Sequence, residues 1–197
     1  MEDWVLRAIS RWPNVPALFG WLALDRRGRW LIRGEVITRP QIIDTIGRNY
    51  AADEHGRWYF QNGPQRGYMK LEYAPLVLRV DDDSESLLTH TNVRVMRPAR
   101  AFLDQEGSIL LVTEHGAGLL ADTDLDWALS RLDCAAGVVD EEELANALAQ
   151  PSGTTTPLFL RLGPACLPLV RLDAIEAPAT LGFVRDPRPR EGERWSE

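Results

Sequence analysis

The feature that most constrains the fold is a short segment that the chain carries twice. Residues 58–64 read Trp-Tyr-Phe-Gln-Asn-Gly-Pro, and residues 158–164, which lie 100 positions later, read Leu-Phe-Leu-Arg-Leu-Gly-Pro. In both copies, apolar and aromatic residues of the kind enriched in β-strands lead into Gly-Pro, a dipeptide typical of turns. We therefore predict one strand and one turn in each copy.

Three further pairs of segments recur in the same order along the chain. They are Asp-x-x-Gly turns at residues 25–28 and 104–107, apolar helix residues four apart (Ile42 and Ile46, Leu144 and Leu148), and Ala-Pro at residues 74–75 and 177–178. Several matches in one order are the signature of an internal repeat. The sequence therefore predicts a duplication.

The duplication predicts an α+β fold made of two repeated small β-sheet or hairpin lobes, each with a helix. We expect residues 1–19 to contain an N-terminal helix, and residues 20–97 and 98–185 to form the first and second lobes. The Asp-x-x-Gly turns are only 79 positions apart, so we expect an insertion of about twenty residues in the second lobe, supplied by a helix at residues 122–132. A tail rich in Pro, Arg and Glu, residues 186–197, is predicted to be loose.

Composition excludes several classes of protein. A formal net charge of −7 argues against nucleic-acid binding, which needs a basic face. No segment approaches the roughly 20 apolar residues of a membrane span. Cys134 and Cys166 are too few for a disulfide framework, and we predict that both thiols are buried. The sequence thus predicts a reduced, cytoplasmic protein without a cofactor.

Residues 28–80 also carry a series of motifs built on glycine, tryptophan and Ala-Pro. They are Gly28-Arg29-Trp30, Gly34, Ile37-Thr38-Arg39, Gly56-Arg57-Trp58-Tyr59 and Glu72-Tyr73-Ala74-Pro75-Leu76. In this order the motifs resemble the bacterial family called domain of unknown function 1285. The resemblance implies a repeated α+β fold. A signalling or ligand-binding role is conjectured for that family, and the resemblance transfers no catalytic residue.

The two copies differ in the strand that follows Gly-Pro, and this difference predicts where a site lies. Three residues of the first copy, Arg66, Tyr68 and Lys70, correspond to Cys166, Pro168 and Val170 of the second. Strands that are apolar on both faces are covered on both sides. We therefore expect the second lobe to be covered by helices or by another subunit, and the first lobe to keep a solvated face.

On that face we predict a site for a small anionic ligand. Arg66 and Lys70 would attract the anion, Tyr68 or Trp58 would give apolar contact, and His55 lies in the neighbouring turn. The leading hypothesis is a non-catalytic module that binds a small ligand or a protein partner in a regulatory or signalling role.

Two alternatives stay open. One is a hydrolase-like enzyme that uses Asp53, His55 and Glu114 from predicted turns. The other is a structural subunit that forms a homodimer through the apolar strands of the second lobe. The three histidines, His55, His90 and His115, lack the spacing of a metal motif, so no metal site is predicted.

Overall fold

The computed structural model describes residues 2–12, 15–83, 85–134 and 137–196, which form two compact units. The first unit comprises Met1–Pro75 and Gly182–Glu197, and the second comprises Leu76–Leu181. The helices are α1 (Asp3–Arg11), α2 (Pro40–Arg48), α3 (Leu125–Leu129), α4 (Glu141–Leu148) and α5 (Ala177–Leu181), with a 3-10 helix at Asp122–Asp124. No helix among the described residues is long and apolar enough to cross a membrane.

The first unit is built on one twisted sheet with α1 and α2. Its strands are β1 (Ala17–Leu24), β2 (Trp30–Ile32), β3 (Glu35–Val36), β4 (Tyr50–Ala52), β5 (Trp58–Asn62), β6 (Gln65–Leu71) and β17 (Trp195–Ser196). The strand order is β3-β2-β1-β6-β5-β4, and β17 pairs with β1 in parallel. The central pair, β1 and β6, is also parallel, which requires the crossover that α2 provides.

The second unit is built on a larger sheet. Its strands are β7 (Leu76–Val80), β8 (Leu87–Thr89), β9 (Arg94–Val95), β10 (Arg100–Leu103), β11 (Ile109–Thr113), β12 (Gly116–Leu120), β13 (Leu132–Cys134), β14 (Gly137–Val138), β15 (Thr155–Leu162) and β16 (Ala165–Arg171). The strand order is β14-β13-β15-β16-β10-β11-β12-β7-β8-β9.

The two sheets repeat one arrangement of strands. Reading β12-β11-β10-β16-β15-β13 in the second unit reproduces β3-β2-β1-β6-β5-β4 in the first. Each copy has a hairpin, a third strand, a helix, a fourth strand and a final hairpin whose last strand lies parallel to the first strand. The predicted α+β fold of two repeated lobes is therefore confirmed, together with the N-terminal helix α1.

The register identifies the inserted helix and corrects its assignment. In the first unit Ala52 pairs with Trp58 across a short turn, whereas in the second unit Cys134 pairs with Leu158 across a segment that contains β14 and α4. Helix α2 precedes β4 as α3 precedes β13. The insertion is therefore α4 with its flanking residues, and not the predicted helix at residues 122–132.

The boundary between the lobes lies earlier than predicted. We expected the first lobe to extend to residue 97, but β7 pairs in parallel with β12 and β8 and β9 continue the same sheet. Residues 76–97 therefore belong to the second unit. A run of apolar residues followed by turns does not reveal which sheet it joins, because strand pairing is a long-range choice.

The C-terminal region differs most from the prediction. Ala177 and Pro178 begin a helix, α5 (Ala177–Leu181), with Pro178 in its first turn, where proline is tolerated, whereas Ala74-Pro75 lies outside any helix. The pairing of Ala177-Pro178 with Ala74-Pro75 is therefore wrong. The tail is not loose either, since Arg194 O accepts a hydrogen bond from Ala17 N at 2.9 Å and β17 joins the first sheet.

Candidate functional site

Three hairpin turns in the chain have the same side-chain-to-backbone geometry. In each Asp-x-x-Gly turn the aspartate carboxylate accepts backbone N–H groups two and four residues later, as for Asp25, Asp53 and Asp104. The glycine that closes each turn has a positive φ of 74–85°, a conformation that glycine adopts at little cost. The repeated motif is therefore primarily a turn-forming device.

The second of these turns extends into a buried ion network. Arg57 Nε donates to Asp53 Oδ2 at 2.8 Å, and the two side chains are only 6% and 2% exposed. Arg57 Nη2 donates to the hydroxyl of Tyr68 at 3.0 Å, and that hydroxyl donates to Asp53 Oδ2 at 3.1 Å. Arg29 makes the same ion pair with Asp25 in the first turn, but its side chain is 54% exposed.

The C-terminal tail (residues 186–196) completes the network. Arg57 Nη1 donates to Glu193 Oε2 at 2.8 Å, and Arg57 Nη2 donates to Glu193 Oε1 at 2.5 Å. Arg57 Nη1 also donates to the carbonyl oxygen of Arg188. Two-pronged arginine–carboxylate pairs combine charge with fixed geometry and are among the strong hydrogen-bonded contacts. Arg57 therefore joins a hairpin of the first sheet to the end of the chain.

The charges of the network follow from these contacts. The hydrogen bond from Arg57 lowers the pKa of Glu193. Burial by itself would raise the pKa of Asp53, but the hydrogen bonds from Arg57 and His55 outweigh it, so this pKa is also lowered. Burial raises the pKa of Tyr68. At neutral pH the network thus contains one cation, two carboxylates and a neutral phenol.

A cavity of about 360 Å³ lies in the first unit beside this network. Strand alternation places Arg66 and Tyr68 on one face of β6, and the register brings Gln61 of β5 next to Arg66. Apolar residues from α1, the loop after it and the β5–β6 turn form other parts of the wall, and the tail supplies the rest. These further lining residues include Ile9, Val15, Pro64, Glu193 and Arg194.

Arg66 is one of two arginines that line the cavity, together with Arg194. Its guanidinium carbon lies 4.5 Å from the centre of the Tyr59 ring, and its Nε donates to Gln61 Oε1 at 3.3 Å. Gln61 is fully buried and is fixed in turn by a hydrogen bond from its amide nitrogen to Gly63 O. Within the described residues no carboxylate lies at ion-pair distance from Arg66. The arginine is therefore oriented by uncharged groups.

The structure brings together two of the five predicted ligand-binding residues. Arg66 and Tyr68 line the cavity, whereas Lys70 is exposed on β6 outside its lining. Trp58 lies on the other face of β5, where its ring packs 4.8 Å from that of Tyr50. His55 sits in the turn next to Glu54, with 3.5 Å between its Nε2 and the carboxylate. Lys70, Trp58 and His55 therefore do not join Arg66 and Tyr68.

Sequence reasoning missed several residues of the site. Arg57 stood in a recognised repeat, but its burial depends on Tyr68 and on the tail. Gln61 follows three aromatic residues in β5 and is buried although polar, and a polar residue at this point of the strand was a usable signal for a site. Glu193 and Arg194 had no local signal, because their position results from pairing over 130 residues away along the chain.

The residues of the enzyme alternative have other roles. The Asp53 carboxylate accepts hydrogen bonds from His55 N, Arg57 N, Arg57 Nε and Tyr68 Oη. Glu114, in the second unit, accepts the backbone N–H groups of Met96 and Arg97. Among the described residues no group of histidine, cysteine and carboxylate side chains is arranged to hold a metal ion. Each of the two carboxylates is thus engaged within its own unit.

The second lobe is less fully covered than expected. Burial alternates regularly along β15, and Cys166 and Pro168 of β16 are exposed. Helices of the chain therefore do not cover both faces of these strands, and the Cys166 thiol is not buried within the chain, because an apolar sequence does not guarantee a covered face. A homodimer through this lobe stays a prediction.

Fold and cavity together define a duplicated α+β protein whose first copy carries a polar-walled pocket. The chain matches the model of the family DUF2944, described as "Protein of unknown function (DUF2946)", over residues 1–188. The chain therefore belongs to this family. No curated protein matches it.

Two solved structures are similar to this chain. The crystal structure of a DUF1285 family protein from Silicibacter pomeroyi DSS-3 has a TM-score of 0.53 and 15% identity, covering 86% of this chain and 96% of that chain. A DUF1285 family protein from Shewanella baltica OS155 has a TM-score of 0.40 and 14% identity, covering 52% and 85%. The resemblance predicted from sequence is confirmed as a likeness of fold by the first structure.

Proposed function

We propose that the first unit is a non-catalytic binding module for a small organic anion, a carboxylate or phosphate with an apolar group attached. One observation carries the proposal: the guanidinium of Arg66 stands at the wall of a cavity of about 360 Å³ and has no carboxylate partner among the described residues. Cytoplasmic location and a regulatory role, both predicted from the sequence, belong to this proposal.

The cavity has the size and chemistry of a small-molecule site. Ligand pockets commonly enclose about 300–1,000 Å³ and combine apolar walls with a few polar groups. Here Ile9, Val15 and Pro64 supply apolar surface, while Arg66 supplies charge and hydrogen-bond donors. Guanidinium groups match carboxylate and phosphate geometry. An anion with an apolar portion therefore complements the walls.

The surroundings of Arg66 prepare it for an anion. Its stacking on Tyr59 and its bond to Gln61 fix the guanidinium plane, which lowers the entropy lost on binding. Tyr68 stacks on Phe19 with ring centroids 4.5 Å apart, so the wall beside Arg66 is rigid. The Tyr68 hydroxyl donates its hydrogen to Asp53, and the residue therefore contributes mainly a wall.

The proposal is for binding and not for catalysis, because the carboxylates beside the cavity are already engaged in hydrogen bonds. The Glu193 carboxylate that lines the cavity is paired with Arg57, and Asp53 behind it is saturated with hydrogen bonds. A general base needs an accessible lone pair near the substrate. Among the described residues around the cavity, neither carboxylate offers one while these pairs are in place.

Calorimetric titration with three aromatic probes tests the proposal. Benzoate and phenyl phosphate carry an anion on a ring, and benzyl alcohol is their uncharged counterpart. We expect the two anions to bind and benzyl alcohol to bind much more weakly. Arg66→Gln should weaken anion binding by about tenfold or more, because a charged hydrogen-bonded contact is lost.

The matched control is Lys70→Gln, which removes the same charge from the same strand outside the cavity. It should leave the affinity for both anions close to that of the unaltered protein. Equal losses in the two variants would mean that only the general charge of the unit matters. A second variant, Glu193→Gln, neutralises a carboxylate-bearing residue of the cavity wall. If neither anion binds to the unaltered protein and neither binds to Glu193→Gln, the proposal is rejected.

A further inference from the structure

We infer that the carboxylate of Glu193 occupies the anion position of this cavity, so that the C-terminal tail is a tethered competitor that an incoming anion displaces. The inference rests on the proposed function and deepens it, because it names the contact that regulates the site.

Glu193 already makes the contacts that an anionic ligand would make. Its two carboxylate oxygens accept from the two terminal nitrogens of Arg57, at 2.8 and 2.5 Å. Glu193 also lines the cavity, as Tyr68 does. A ligand carboxylate or phosphate could take this two-pronged position on Arg57 in the same geometry. The tail thus supplies an internal copy of the ligand's anionic group.

Removal of Glu193 would create a stronger anion site. Arg57 is not itself a lining residue, but Glu193 and Tyr68, to which its guanidinium donates, both line the cavity. Without Glu193, Arg57 would keep its ion pair with Asp53, and the two N–H groups that Glu193 now accepts would be available to another anion. An incoming anion would then restore the charge that the tail had supplied.

The attachment of the tail is compatible with displacement. Strand β17 contributes only two residue pairs to the first sheet, and Trp195 remains 46% exposed with an edge contact to Phe19. The turn at residues 190–193 is itself fixed by the Glu193 carboxylate, which accepts the N–H of Arg190 at 2.8 Å. Chain ends held by few contacts open at low free-energy cost. Loss of the Arg57 contact therefore frees residues 190–196.

Two glutamates of the tail allow a matched test with phenyl phosphate. Glu193→Gln removes the competing charge, and Glu191→Gln removes an equal charge from an exposed position in the same segment. If the closed tail is populated nine-tenths of the time, relief of competition tightens apparent affinity about tenfold. We expect this gain for Glu193→Gln and no gain for Glu191→Gln.

Limited trypsin digestion of the unaltered protein gives a second readout. Trypsin can cut after Arg190 and Arg194, while Pro189 protects the bond after Arg188. Saturating phenyl phosphate should accelerate both cuts relative to benzyl alcohol and to sodium chloride at equal ionic strength. Slower cutting would show that the ligand binds under a closed tail.

The outcomes separate this inference from the proposed function. Tighter binding by Glu193→Gln together with faster trypsin cutting supports the anion site and the displacement of the tail. Binding that is seen with Glu193→Gln but not with the unaltered protein also supports competition by the tail. Phenyl phosphate binding that is unchanged or weakened in Glu193→Gln overturns displacement but leaves the anion site in place. Absence of binding in both proteins overturns the two together.

Discussion

Arg57 and Glu193, which are 136 positions apart, form a two-pronged ion pair that joins strand β5 to the C-terminal tail. The arginine side chain is almost completely buried, and the glutamate side chain is 31% exposed. Glu193 also lines the cavity that presents Arg66. One contact therefore links the order of the tail to the electrostatics of the candidate site.

The first prediction compares the two arginines that occupy equivalent turns. Arg57→Gln should lower the free energy of unfolding by about 3–5 kcal/mol, because it leaves the Asp53 carboxylate buried without its cation. Arg29→Gln breaks the same pair with Asp25 at an exposed position, where about 1 kcal/mol or less is expected. Urea denaturation measures both, and equal losses would contradict the assigned role of burial.

The second prediction concerns the pH dependence of the tail contact. Pairing with Arg57 lowers the pKa of Glu193 below its usual value of 4.5. A lowered pKa in the folded state contributes stability that is complete above the unfolded value and is lost as pH falls through the folded value. The unaltered protein should therefore melt at a higher temperature than Glu193→Gln above about pH 5, and the difference in melting temperature should shrink as the pH falls below 4.5.

Thermal melts of the two proteins between pH 7 and pH 3 check this sign. If the difference in melting temperature between the two proteins increases as the pH falls, the ion pair between Arg57 and Glu193 is contradicted.

The third prediction concerns Gly56, which closes the second Asp-x-x-Gly turn. Its φ is +74°, and a Cβ there would overlap the carbonyl oxygen of Gly182, a backbone atom that cannot swing aside. Gly56→Ala should cost about 3 kcal/mol from the combined strain and overlap. Gly34→Ala has a similar positive φ in open space, so about 1 kcal/mol is expected. Urea denaturation should separate the two variants, and equal costs would mean that the close approach to Gly182 is unimportant.

Local patterns in the sequence predicted much of the fold. The turn at residues 25–28, the helix that contains Ile42 and Ile46 and the helix that contains Leu144 and Leu148 depend on residues close in sequence, and all three are present. The repeat was visible because turns with Gly at positive φ leave the same short signature twice. Strand pairings between segments that are far apart in the chain could not be predicted from local patterns. These pairings determine the boundary at residue 75 and the position of the tail.

The candidate site was half predictable for the same reason. Alternation along β6 placed Arg66 and Tyr68 on one face, but Lys70 shares that face without reaching the cavity. The cover that makes a cavity out of this face comes from the N-terminal helix and the last residues of the chain. The sequence of neither segment indicates which part of the sheet it packs against.

A crystal structure of the protein with 4-bromobenzoate would test the central claim most directly, since anomalous scattering locates the bromine. We expect the carboxylate beside Arg66 and Tyr68 in the cavity, in the place that the Glu193 carboxylate takes on Arg57 in the free protein, with the Glu193 side chain displaced. If calorimetry shows that 4-bromobenzoate binds but the bromine lies outside this cavity, the proposed anion site is wrong.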